Sequence, residues 1–401
     1  MYGAHAMKAG VLRERSGALL LVLPVLVFMA VFFLWPLWAM VTAAFVDDAV
    51  SKVLPRTAAS IVSWNGQGVP SEAAHKALVQ DLRAATDEQA LGEAVRRLNS
   101  AASGFRTLLG RTIPAVKAAS DPAQVDLLAI DPRWKDTRFW MALKEAMPPY
   151  TDRNILAAVD MKRDASGSIV LEAADASAHR LIMLRTLLVA AMVTIACAVI
   201  GLPYAMLAAS LTGWKRSVLL LAVVLPLWTS LLVRTAAWFI LLQNEGLINR
   251  ALQAIGLIDS PLPLIFNRLG VVIAMTHVLL PFMVLPIYSV ILGIPRNLMS
   301  AAQSMGAGPV RAFWRVLLPL SLPGLLSGSL LVFMVAIGYY ITPALLGGAN
   351  DQMISSVIAF YATGTANWGL AGALGLMLLG VTTVLYTIYG RFSTSPQVPG
   401  A

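Results

Sequence analysis

The chain has 401 residues, 58% hydrophobic and only 13% charged, where soluble domains carry about 25% charged residues; its mean hydropathy is +0.73. These values exclude an ordinary soluble enzyme, and a single cysteine, Cys197, excludes an internal disulfide framework or a multi-cysteine metal site. The net charge of +9 raises the possibility of nucleic-acid binding, which the placement of the charges decides.

Residues 46–180 hold 17 acidic and 17 basic side chains, so the whole positive excess lies outside them. There the sequence breaks into uncharged apolar windows at 17–46, 186–214, 217–233 (resuming after Arg234), 269–295, 316–350 and the apolar part of 352–390. Each supplies the roughly 20 apolar residues that a helix needs to cross a hydrocarbon core of about 30 Å. Six spans are predicted, with cores at 19–41, 186–208, 218–242, 271–294, 320–341 and 369–389.

The first window exceeds the h-region of about 7–15 residues found in cleaved signal peptides. Residues 1–45 are therefore read as a cytoplasmic N-terminus and a retained first span. The insert, 46–180, has the composition of a small, mostly helical domain. Leu78, Leu82, Leu91, Val95, Leu98, Phe105 and Leu108 recur at helical spacing, and a further helix is expected after Asp131 and Pro132, ended by Pro148 and Pro149. A turn at 164–168 precedes a β-prone run, Ile169, Val170 and Leu171. His75 and His179 lack metal-ligand spacing, and the balanced charges read as a solvated surface. A docking or lid role is the functional alternative.

The remaining spans lie in a core at 181–391, followed by a tail at 392–401. Basic residues of short loops fall on one side: Lys8, Arg13 and Arg15, then Lys215 and Arg216, then Arg296, Arg311 and Arg315, then Arg391. By the positive-inside rule that side is cytoplasmic, both termini are cytoplasmic and the insert is periplasmic. Scattered topology determinants account for the pI, and no nucleic-acid partner is expected. Arg234 is the one charge within a span core, where an ionised group marks either a pathway or a snorkelling anchor. Tyr339 and Tyr340 precede a break expected at Thr342 and Pro343 and read either as an outer gate or, Tyr340 above all, as ordinary interfacial aromatics; Trp228 and Pro343 are further candidates for the path or gate. His277 is read as a packing histidine and Cys197 as a small packing residue.

The loop at 295–319 is the most informative segment. Small Ala301 and Ala302 are followed by Gly306 and Gly308, which permit a tight turn, and by Pro309, suited to a helix start. Phe313 and Trp314, with Arg311 and Arg315 one turn apart, form an amphipathic segment with exposed aromatics, a partner surface. This loop resembles the EAA motif of permease subunits of binding-protein-dependent ABC importers: Glu-Ala-Ala, three residues, Gly, nine residues, then Ile-x-Leu-Pro. Ala301, Ala302, Gly306, Val316 (for Ile), Leu318 and Pro319 stand at the required positions, and Ser300 replaces the Glu.

The stretches at 225–238 (LPLWTSLLVRTAAW), 280–286 (LPFMVLP) and 338–348 (GYYITPALLGG) are similar to the first, B-type permease of the spermidine/putrescine class, a likeness covering the last 220 residues or so plus span one. Tyr339 stands where polyamine members often have Asp. The resemblance implies an all-α integral membrane protein of the type I importer permease fold in a bacterial inner membrane, with the loop as a helix docking on an ATPase. It also implies a second, distinct permease, two ATPase subunits that use ATP and Mg, and a periplasmic solute-binding protein, all working among membrane lipid. The chain has no Gly-x-x-x-x-Gly-Lys-Ser/Thr loop, so no catalytic, cofactor or metal residue is assigned to it. A polyamine is the expected solute. An opine, an amino-acid-like or another small organic solute is the alternative, because spans two to six lack Asp and Glu. An ion-coupled secondary transporter or a membrane hydrolase requires intramembrane carboxylates or a clustered catalytic set, and neither is evident.

Overall fold

The computed structural model describes residues 21–121, 124–164, 168–173, 178–295, 297–365 and 367–393. Lys8, Arg13, Arg15, Arg296, the middle of the expected turn at 165–167 and the tail beyond 393 lie outside the described residues. Among the described residues five helices are long and apolar enough to cross a membrane, or six if one bent pair is a single span. They are α1 (Leu21–Phe45), α7 (His179–Ser210), the pair α8 (Gly213–Val224, extended by a 3-10 turn to Trp228) and α9 (Leu231–Leu241), α11 (Arg268–Gly293), α13 (Pro309–Gly338) and α16 (Trp368–Ser393).

The chain divides into two compact units. The first comprises the residues up to Leu156 together with Asn367–Ala373. Beyond α1 it contains α2 (Pro55–Ile61), α3 (Glu72–Ala84), α4 (Glu88–Ala101), α5 (Phe105–Ala118) and α6 (Thr137–Ala146). This unit buries Leu78, Leu82, Leu91, Leu98, Phe105 and Leu108 of the set that the helical spacing marked, with Val95 half-buried against them, and Trp134 and Trp140, which that spacing did not mark, are buried in the same core. The buried Asp81 carboxylate accepts both the Thr57 N–H and its hydroxyl at 2.7 and 2.8 Å, tying α2 to α3. Asp131 is also buried, and its side chain accepts from Arg133 Nη2 at 2.8 Å. That guanidinium holds the carboxyl at a pKa of about 2, against an ordinary 3.8. The helix expected directly after Pro132 instead starts at Thr137. Asp131 and Asp136 each accept a backbone N–H two residues on, so residues 132–135 close as a separate 3-10 turn before α6. In the same unit Gly369 and Gly372 lie so close to Asn154 and to the Met40 carbonyl, respectively, that a Cβ on either would collide.

The second unit holds Ala157–Ala366 and Leu374–Ala401. It opens with a small antiparallel ribbon, β1 (Met161–Arg163) on β2 (Ile169–Leu171), of which only β2 had a β-prone signature. Asp160 then caps α7 by accepting the His179 and Arg180 N–H groups at 2.8 and 2.9 Å. The second span therefore starts seven residues before its apolar core at 186. α7, α11 and α13 pack on one another around Val193, Cys197, Met275, Met283, Val332 and Ala336. Small residues allow the approach: a Cβ on Gly324 would stand 2.8 Å from the Pro286 carbonyl, and one on Gly328 2.9 Å from Met283 Sδ.

Two expectations are corrected here. The third span, expected as one helix over 218–242, bends by 103° between α8 and α9. Pro226 is the second residue of the 3-10 turn, and Thr229 leaves helical geometry (ψ 152°), its hydroxyl donating to the Pro226 carbonyl at 2.8 Å. The break expected at Thr342 and Pro343 lies earlier, at Tyr339 and Tyr340, where ψ is 127° and φ is −125°. Pro343 sits in the first turn of α14 (Ile341–Leu346), where its missing N–H has no intrahelical partner to lose.

Candidate functional site

Two regions gather the residues marked in the sequence. The first is the loop between the fourth and fifth spans, where α12 (Asn297–Ser304) carries Ser300, Ala301 and Ala302. Ala302 is buried; Ser300 and Ala301 are exposed. The helix ends in a left-handed turn at Gly306, φ +83°. There the Gly306 N–H donates to the Gln303 carbonyl at 2.9 Å and the Ala307 N–H to the Ala302 carbonyl at 3.0 Å, the two bonds of a glycine C-cap. Pro309 then starts α13.

The segment expected as a short amphipathic stub is continuous with the fifth span, since residues 309–338 form one helix. Its Phe313–Leu317 stretch, which includes Arg315 and Val316, is wound as a π turn. Ala312 is buried within the unit, while Arg311, Trp314 and Arg315 are exposed and Phe313 packs edge-on against Trp314. Leu318 is half-buried and Pro319 exposed. Met305, Val310 and Trp314 are 82, 70 and 61% exposed, an apolar surface wrapped around the Gly306 turn. Such a surface, flanked by Arg311 and Arg315, suits docking on another protein.

The second region lies where α9 meets the α13–α14 break. Arg234 on α9 is within electrostatic reach of Tyr339 and His277. Next to it, Thr235 and Thr342 share a hydroxyl hydrogen bond of 3.2 Å, and the Trp238 indole donates to His277 Nδ1 at 3.1 Å. The Tyr339 and Tyr340 carbonyls accept from the hydroxyls of Ser355 and Ser356, at 2.6 and 3.2 Å, on α15 (Ile354–Gly364). Arg234 and Tyr339 are thus brought together, Pro343 is buried one position from Thr342, and Trp228 stands at the α8–α9 bend with its side chain exposed. The threonine pair and the Trp238–His277 contact went unmarked in the sequence, because residues about 40 and 107 positions apart share no local pattern. Among the described residues no His, Cys, Asp and Glu group of three or more could hold a metal ion.

A bundle of apolar helices, a polar break inside it and a glycine-turned loop with exposed apolar side chains are features expected of a membrane transport component. The family described as binding-protein-dependent transport system inner membrane component matches residues 201–395. The chain is 34% identical over 212 residues to the spermidine/putrescine transport system permease protein PotB of Escherichia coli strain K12, covering 53% of this chain and 77% of that protein. PotB of Haemophilus influenzae strain Rd is 35% identical over 198 residues (49% of this chain, 69% of the relative). The inner membrane ABC transporter permease protein YdcU of Escherichia coli K12 is 33% identical over 225 residues (53 and 70%). A solved bacterial alginate ABC transporter in complex with an alginate pentasaccharide-bound periplasmic protein aligns with a TM-score of 0.46 at 18% identity, over 56% of this chain and 81% of that one. The chain belongs to the family of binding-protein-dependent transport system inner membrane components, and is a multi-pass inner-membrane permease subunit of an ABC importer. Residues 46–180 fall outside the family match.

Proposed function

We propose that this chain is the polyamine-translocating permease subunit of an ATP-driven importer, working beside a second, distinct permease, two ATPase subunits and a periplasmic solute-binding protein. The observation that carries the solute assignment is the 34% identity to a spermidine/putrescine permease across 77% of that relative. Both termini and the 295–319 loop face the cytoplasm, where the basic loop residues are retained. ATP binding by the partner subunits draws the docking loops together, and the rigid turn at Gly306, carrying the exposed Trp314, transmits that motion into the fifth span. The bundle then passes between two states, each stabilised by different partners.

Solute selection belongs to the binding protein, since the spans of this chain offer no carboxylate to a polyamine cation. That same feature favours the second reading, an opine, amino-acid-like or other small organic solute. The test is thermal stabilisation of the cognate binding protein by putrescine, spermidine, opines and amino acids. Stabilisation by a polyamine supports the first reading; stabilisation by an anionic or zwitterionic solute alone replaces it with the second.

A further inference from the structure

The connection between α9 and α11 holds a short helix, α10 (Leu247–Ala254), whose position and exposure point to the membrane surface. Its buried Asn249 fastens it: the side-chain amide donates to the Gln243 and Leu262 carbonyls at 3.1 and 3.0 Å, and the side-chain oxygen accepts the Leu262 N–H at 2.9 Å. Gln243 lies just past the last turn of α9, so both arms of the connection are tied to the exit of that helix. The exit is level with the start of α11, because a Cβ on Gly270 would stand 3.4 Å from Leu242 Cδ1 and would collide with the Leu264 carbonyl. α11 has 26 residues, about 39 Å at 1.5 Å per residue, against a hydrocarbon core of about 30 Å. Centred on that core, and even tilted by about 20°, its first turn stands in the headgroup layer, and α10 is pinned beside it.

Exposure around α10 is two-sided. Leu247, Ala251, Ala254 and Ile255, spaced i, i+4, i+7 and i+8, line one exposed apolar stripe. The turn at Gly256, φ +72°, extends it with Leu257. Leu247, Ile255 and Leu257 are 67, 68 and 68% exposed. On the adjoining edge Gln253 and Arg250 are exposed too, and Arg250 reaches the exposed Glu245 at 3.8 Å. One helix thus meets two solvents: water along an ion-paired edge, and an apolar medium along the stripe. The apolar exposure runs on into both neighbouring spans, at Ile240 in the last turn of α9 and Leu269 in the first turn of α11. Between them the exposed Phe266 ring packs edge-on against Phe239 of α9.

We propose that α10 is an interfacial helix lying in the leaflet opposite the docking loop. Leu247, Ile255 and Leu257 sit at the boundary of phospholipid headgroups and acyl chains, and Arg250 and Gln253 face the headgroup water. Phospholipid is the occupant because the stripe stands at headgroup level, continues the exposed apolar surface of two membrane-crossing helices, and keeps a solvated ion pair on its edge. Through Asn249 the helix holds the exit of α9 at the membrane surface. The inference rests on the membrane-spanning permease fold and is independent of the solute.

The test places a fluorescent label by Ile255→Cys, Leu257→Cys or Gln253→Cys in the complete importer, reconstituted in phosphatidylethanolamine–phosphatidylglycerol liposomes. Cys197 is buried, and the unsubstituted chain carried through the same labelling gives the background. Labels at positions 255 and 257 are expected to be quenched about twofold or more better by lipid carrying a nitroxide near the top of its acyl chain than by aqueous iodide, as an insertion of about 5–10 Å requires. The order is expected to reverse at position 253. Iodide quenching at 255 and 257 equal to that at 253 overturns the proposal. Protection of 255 and 257 from both quenchers, with or without loaded binding protein, assigns the stripe to a protein partner and overturns it as well. If the cysteine variants do not assemble, electron cryo-microscopy of the unmodified importer in lipid nanodiscs decides: α10 within the annular lipid density supports the proposal, and α10 clear of that density or covered by another subunit overturns it.

Discussion

The Gly306 turn gives the sharpest perturbation. Its φ of +83° lies in the left-handed region, and a Cβ built there meets nothing within 4 Å, so a substitution acts through backbone strain and not through a clash. A non-glycine residue in that region costs about 1–2 kcal/mol, and a β-branched one sits at the unfavourable end. Gly306→Val therefore favours release of the two hydrogen bonds that close α12 by this amount, which shifts the ratio of closed to open turn by a factor of roughly 5–30. Putrescine uptake into proteoliposomes holding the complete importer is expected to fall, by at most that factor, with membrane insertion unchanged and with ATP hydrolysis less dependent on loaded binding protein. Gly306→Asn separates strain from contact, since Asn tolerates the left-handed region, and is expected to retain most of the uptake. Wild-type uptake by the Val variant, or equal loss in both variants, refutes the reasoning.

Other consequences follow from particular contacts. The Asp131 carboxyl titrates near 2 in the fold instead of 3.8, so its stabilisation is complete above pH 4 and is lost as pH falls through about 2. Asp131→Asn is expected to cost about 1–2 kcal/mol at pH 7, allowing for the partly exposed Arg133 partner, and to flatten unfolding between pH 4 and 2 as followed by tryptophan fluorescence. Trp140 is fully buried and its indole donates to the Trp134 carbonyl at 2.9 Å; Trp140→Ala should cost about 3–5 kcal/mol, read as early protease cleavage within the insert. Gly324→Leu would drive a side chain into the Pro286 carbonyl and lower the melting temperature of the purified chain, while Gly308→Leu, with open space at its Cβ, would not. A double-mutant cycle on Thr235→Val and Thr342→Val should return a coupling of about 0.6 kcal/mol, as for other hydrogen bonds between membrane helices.

Most of the architecture is legible because membrane insertion demands long uncharged windows, and the cores expected at 271–294 and 369–389 coincide with α11 and α16 to within a few residues. The Gly306 turn is legible because its chemistry is local: the αL position favours glycine, and Pro309 suits a helix start. What the windows hide are events set by distant partners. The early start of α7 depends on Asp160, 19 residues before His179. The 103° bend of the third span leaves its hydropathy unbroken, so Pro226 alone hints at it, and Pro281 and Pro286 lie inside a continuous helix. The break at Tyr339 and Tyr340 precedes the proline that marked it, because Pro343 is favourable in a first turn and has no need to end the helix before it.

ATP-dependent uptake of radiolabelled putrescine and spermidine by proteoliposomes bearing the complete importer and its binding protein tests the central claim most directly. The account predicts accumulation that requires ATP, the ATPase subunits and loaded binding protein together, and that survives collapse of ion gradients. Polyamine uptake that proceeds without the ATPases on an ion gradient, or a complete importer that moves no polyamine while moving another solute, would contradict it.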